Sequence, residues 1–137
     1  MEDNSRYVTF TLGDMVFEYD DEKNSRNIEK HGISFRSAAR VFFDYDRIEL
    51  YDEENSDMED RYNTIGDLSA GKAGLNFLGS DAIIGNVSQE SGKEDILFVV
   101  YTERVKRIAD GRNVDVTRLI SARYATNFER GLYYGKY

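Results

Sequence analysis

Residues 96–126 read ILFVVYTERVKRIADGRNVDVTRLISARYAT, and this stretch decides the fold. ILFVVYT (96–102) is an unbroken apolar run, the mark of a strand buried on both faces. ADGRN (109–113) supplies turn chemistry, and VDVTRLISA (114–122) returns as a second strand. Thr126 and Glu129 have the Thr-x-x-Glu spacing of a capping box, so a short helix opens there with Phe128 and Leu132 as its apolar contacts. Arg123 stands at the joint between strand and helix, with Arg118 five residues earlier.

Working outward, YVTFTLGDMVFEYD (7–20) alternates apolar and polar residues on both sides of Gly13-Asp14. It reads as a strand pair or one broken strand. Asp20 suits an N-cap, and residues 21–31 form a polar helix stopped by Gly32. Lys23, Asn27 and His31 recur four residues apart and share one face of it. Ser34 caps a second helix, amphipathic through Phe35, Ala38, Ala39 and Phe42. RIELY (47–51) and RYNTIG (61–66) read as strands on either side of the acidic connection DEENSDMED (52–60). Residues 67–95, rich in Gly, Ser and Asn, are the least readable part, with AIIGNV (82–87) a possible additional strand. The order is strand, two helices, a run of strands and a closing helix. That order defines an α+β domain spanning 1–137, with a mainly antiparallel sheet packed by two N-terminal helices and one C-terminal helix.

Composition narrows the chemistry. The chain has 137 residues, enough for one real core. It has no cysteine and one histidine, which excludes a disulfide framework and leaves a classical zinc site almost without ligands. No apolar run approaches a membrane span, and the acidic N-terminus does not resemble a signal peptide, so a cytoplasmic protein is expected. The net charge is −8, unevenly spread. Residues 1–103 hold 10 basic and 23 acidic side chains, whereas residues 104–137 hold 8 and 3. Such asymmetry marks either a polyanion-facing surface on an acidic body or a set of internal salt bridges.

Pairing the two C-terminal strands brings Glu103, Arg104, Arg118 and Arg123 into one neighbourhood. Guanidinium groups hold phosphate bidentately and offset charge developing at phosphorus. A carboxylate of suitable pKa takes a proton from a hydroxyl nucleophile. RNA carries its own nucleophile in the 2′-OH, so a ribonuclease needs no metal or cofactor for this step. The competing reading is a cross-strand Glu–Arg pair on a solvated sheet face. His31 is either a proton-transfer group or a structural helix-end histidine. Lys23 and Lys30 either extend a phosphate track or are solvated, and Arg61 either binds phosphate or pairs with Asp57, Glu59 or Asp60.

In order along the chain, FEYDDEKNSRNIEKHGISF (17–35), AARVFFD (38–44), EDRYNTIG (59–66), VVYTER (99–104) and RLISARYAT (118–126) resemble the BrnT family of bacterial type II toxins. The resemblance implies a RelE-like fold, metal-independent RNA cleavage that stops translation, and neutralisation by a BrnA-type antitoxin. Operator DNA is implied only indirectly, through that antitoxin. Carried over by position, the functional residues are Lys23, Lys30, His31, Arg61, Glu103, Arg104, Arg118 and Arg123; side-chain chemistry makes Glu103 the expected base, and His31 or Lys30 the acid. Arg118 and Arg123 are the expected catalytic phosphate binders, with Lys23, Lys30, Arg61 and Arg104 as further RNA contacts. The other functional class open to such a chain is a catalytically inert, BrnT-like protein-binding module. Three features depart from the family pattern: the long 67–95 segment, Tyr19 where tryptophan is common, and the net charge. One expectation is geometric. On an uninterrupted strand, residues 118 and 123 face opposite sides, so they act together only if the strand twists or ends between them.

Overall fold

The computed structural model describes residues 6–79 and 95–135. Strands β1 (Tyr7–Leu12) and β2 (Met15–Asp20) form an antiparallel hairpin. Its turn is tight because Gly13 adopts a positive φ of 59°. Asp20 ends β2 and caps helix α1 (Asp21–His31), its carboxylate accepting from the Glu22 and Lys23 amides. Gly32, at φ 73°, closes the helix by donating its amide to the Ile28 carbonyl. Ser34 caps α2 (Phe35–Ala38). The expected longer helix tightens there into a 3-10 turn over Ala39–Phe43.

Strands β3 (Ile48–Tyr51) and β4 (Tyr62–Asp67) flank the acidic connection. Helix α3 (Leu68–Gly79) follows directly, so twelve residues of the least readable stretch are helical. AIIGNV (82–87) lies outside the described residues. Strands β5 (Ile96–Arg107) and β6 (Asn113–Tyr124) form a long hairpin, and α4 (Asn127–Tyr133) closes the chain with both halves of the Thr126–Glu129 capping box in place. Strand β6 runs through Arg123 rather than ending before it.

The six strands make one mixed sheet in the order β1-β2-β6-β5-β4-β3. Four pairings are antiparallel, and β2 runs parallel to β6. One face carries Phe17, Tyr19, Leu97, Val99, Tyr101, Leu119 and Ala122, packed against Phe35, Ala38, Val41 and Phe42. Removing a side chain such as Phe17 or Phe35 from water contributes roughly 2–3 kcal/mol. The other face holds a smaller cluster of Ile65, Ile96 and Ala125, with Phe98, Leu132 and Tyr133 against it.

Strand β2 meets β6 only over Val16–Glu18 and Val116–Arg118. Beyond that, α1 takes its place beside β6. Buried Asn27 donates its side-chain amide to the carbonyls of Ala122 and Ile33, at 2.8 and 2.9 Å, and its oxygen accepts from the Ala122 amide. The Asn24 side chain accepts the Phe35 amide, fixing α1 to α2.

Candidate nucleic-acid interface

The β5–β6 pairing is regular except at one point. Val100 lies opposite Ser121 and Tyr101 opposite Leu119, so Ile120 is an extra residue in β6. Arg118 therefore pairs with Thr102, and Arg123 with Phe98. Positions 98 and 102 of β5 share a face, so the bulge brings Arg118 and Arg123 to the same side despite their odd spacing. Four strand residues separate them, about 13 Å along the sheet. Arg104 and Lys106 continue the same alternation down β5.

Each arginine is already partnered. The Arg118 Nε donates to Oε2 of Glu18 at 2.6 Å, and its guanidinium lies 4.3 Å from the centre of the Tyr7 ring. Lys106 Nζ donates to the other Glu18 oxygen, also at 2.6 Å. Glu18 is fully buried. Burial alone would raise its pKa, but hydrogen bonds and charge from Lys106 and Arg118 outweigh it and hold the carboxyl below the ordinary range. Arg123 lies 4.3 Å above the Phe98 ring and grips Glu129 with both terminal nitrogens, at 2.8 and 3.0 Å. Glu129 is likewise held low: burial opposes ionisation, and Arg123 and the Thr126 amide more than offset it.

Arg104 reaches Glu59 at 3.5 Å. Glu103 belongs to the opposite face of the ribbon, paired with Thr117, so alternation separates it from Arg118. It opens instead into a cleft of about 780 Å³ that it shares with Arg104, Asp14, Asp60 and Tyr62. Arg61 lines a shallow recess with Glu54, Asp57 and Glu59. Lys23 and Lys30 are exposed on α1, and His31 is half-buried at its end. Among the described residues, His31 makes no side-chain hydrogen bond, and neither lysine makes a side-chain hydrogen bond or an ion pair. The face thus gathers Arg104, Arg118 and Arg123, and leaves Glu103, Arg61 and the α1 residues elsewhere.

Sequence reasoning missed Glu18, Lys106 and Tyr7. Glu18 carried a signal, since a carboxylate between Phe17 and Tyr19 sits in the middle of a strand otherwise bound for the interior. Its partner was invisible, because a parallel pairing 100 residues apart leaves no local pattern. Among the described residues, no group of acidic residues and histidine is placed to hold a metal ion, and no helix is long and apolar enough to cross a membrane.

An α+β sheet presenting arginine and lysine from one face has the chemistry to meet a polyanion. Residues 19–75 match the family model described as the ribonuclease toxin, BrnT, of type II toxin–antitoxin systems. The resemblance read from the sequence is borne out over this segment, a little under half of the chain. It takes in Lys23, Lys30, His31 and Arg61, while Glu103, Arg104, Arg118 and Arg123 lie beyond it. No curated protein matches the chain.

Proposed function

We propose that the chain is the ribonuclease toxin of a bacterial type II toxin–antitoxin pair, a RelE-like endoribonuclease that acts in the cytoplasm without a metal ion. The observation that carries this reading is the shared sheet face of Arg104, Lys106, Arg118 and Arg123, in a chain whose 19–75 segment matches a ribonuclease toxin family. In the reaction, the RNA 2′-oxygen loses its proton and bonds to the adjacent phosphorus. The bond to the 5′-oxygen breaks, and that oxygen takes up a proton, leaving a cyclic phosphate and a 5′-hydroxyl. Arg118 and Arg123 hold phosphates along the strand, with Arg104 below them. At their spacing they serve different phosphates rather than clamping one. Glu103 is the proposed proton acceptor, reaching RNA that turns over the ribbon into the cleft it shares with Arg104. His31 or Lys30 is the proposed donor, and Lys23 and Arg61 are peripheral contacts. A BrnA-type antitoxin is the proposed neutralising partner, and through it the pair contacts operator DNA.

A second reading has its own support. Glu18 and Glu129 occupy the two guanidinium groups that RNA would need, and the body is acidic. That favours a catalytically inert binding module. Induced expression of the chain, of Arg118→Ala and of Arg123→Ala separates the two. Growth arrest with RNA fragmentation, lost in folded mutants, is expected. If wild type and mutants grow alike while soluble and folded, the ribonuclease reading fails and the module stands.

A further inference from the structure

We infer that Lys106 and Arg118 form a two-cation phosphate site, and that Glu18, buried between them, is the positioning residue that fixes both. The inference rests on the ribonuclease reading for its substrate, an RNA phosphate, but its geometry is independent of that reading. A fully buried carboxylate on a sheet face is costly to desolvate unless both oxygens are satisfied. Here each oxygen takes one cation at 2.6 Å, and the two cations come from different strands. Glu18 therefore sets the distance and direction between them. It does not exhaust them. Arg118 uses Nε for Glu18 and one terminal nitrogen for the Tyr7 hydroxyl at 3.4 Å, which leaves Nη2 without a protein partner among the described residues. Lys106 uses one of its three donors, and its side chain is 43% exposed. The unit keeps a net charge of +1 with several donors to spare. The Tyr7 ring beneath the guanidinium adds a second restraint on its plane.

The test is Glu18→Gln in the full chain. Glutamine offers one acceptor and one donor where glutamate offers two acceptors, so it can satisfy only one of the two cations. Its removal of a negative charge makes the face more basic. Positioning predicts a split: affinity for a single-stranded RNA oligonucleotide holds or tightens, while the cleavage rate at saturating RNA falls at least tenfold. Arg118→Ala should lower the cleavage rate less in Glu18→Gln than in the wild-type chain, because the two residues act as one unit. Lys106→Met leaves the Glu18–Arg118 pair intact. It should weaken RNA binding and reduce the slope of log affinity against log salt by about 0.7, one phosphate contact on a single strand. It also serves if Glu18→Gln does not fold. Wild-type cleavage by folded Glu18→Gln, or an unchanged salt slope in Lys106→Met, overturns the inference. RNA binding that follows the slope in a wild type that cleaves nothing defeats the ribonuclease reading and leaves the phosphate site standing.

Discussion

At the scale of single residues, the buried polar groups are the informative ones. Asn27 makes three hydrogen bonds to backbone that no strand reaches. Asn27→Ala leaves an Ala122 amide and two carbonyls unpaired in the interior, and should cost about 3 kcal/mol. Chemical denaturation would show this as a lower midpoint with an unchanged slope. Glu18 and Glu129 are two of the carboxylates that carry the pH dependence, alongside Asp20. Both are depressed in the folded chain, so their contribution to stability is complete above the ordinary carboxylate range and is lost as pH falls through their lowered values. Melting temperature should drop on acidification across that range. Glu129→Gln should flatten part of the drop, and a variant with the same acid limb as wild type would show that Glu129 does not contribute. Sequence reading found the capping role of Glu129 because its partner is three residues away, but not its grip on Arg123, which depends on where a strand and a helix meet.

At the scale of elements, local chemistry was readable and distant pairing was not. Asp20 and Gly32 mark the ends of α1, and Thr126 with Glu129 marks the start of α4, through groups within four residues of each other. The β2–β6 pairing and the Ile120 bulge depend on partners far along the chain, so the strand alternation alone placed Arg118 and Arg123 on opposite faces. Helix α3 was hidden for another reason. Gly71 and Gly74 weaken the helix signal in the sequence, yet they let the helix approach the 3-10 turn, where an added Cβ would strike the carbonyl oxygens of Arg40 and Phe43. This gives a test with opposite signs. Helix propensity favours alanine over glycine by about 1 kcal/mol, whereas overpacking costs about 1–3 kcal/mol. Gly71→Ala should therefore destabilise the chain in urea unfolding. A stabilised variant would show that α3 does not seat against the turn.

At the scale of the whole molecule, an acidic body presents a small basic face. RNA held by Arg104, Lys106, Arg118 and Arg123 would give a salt slope of about −3 on a single strand, four contacts at roughly 0.7 each. A much steeper slope in filter binding would mean that cations outside this face take part. The sheet has a further property that follows from how it is completed. Beyond Arg118, β6 has no strand on the side where β2 lay, and a helix side chain supplies the missing rung at Ala122. The Asn27 carboxamide has the same donor and acceptor as a peptide group, so it blocks this stretch of the β6 edge to another chain's backbone. An unguarded strand edge is a template for pairing with a second molecule. Loss of Asn27 should thus do more than soften the fold: it turns an interior seam into an adhesive one, visible as concentration-dependent association that dilution reverses.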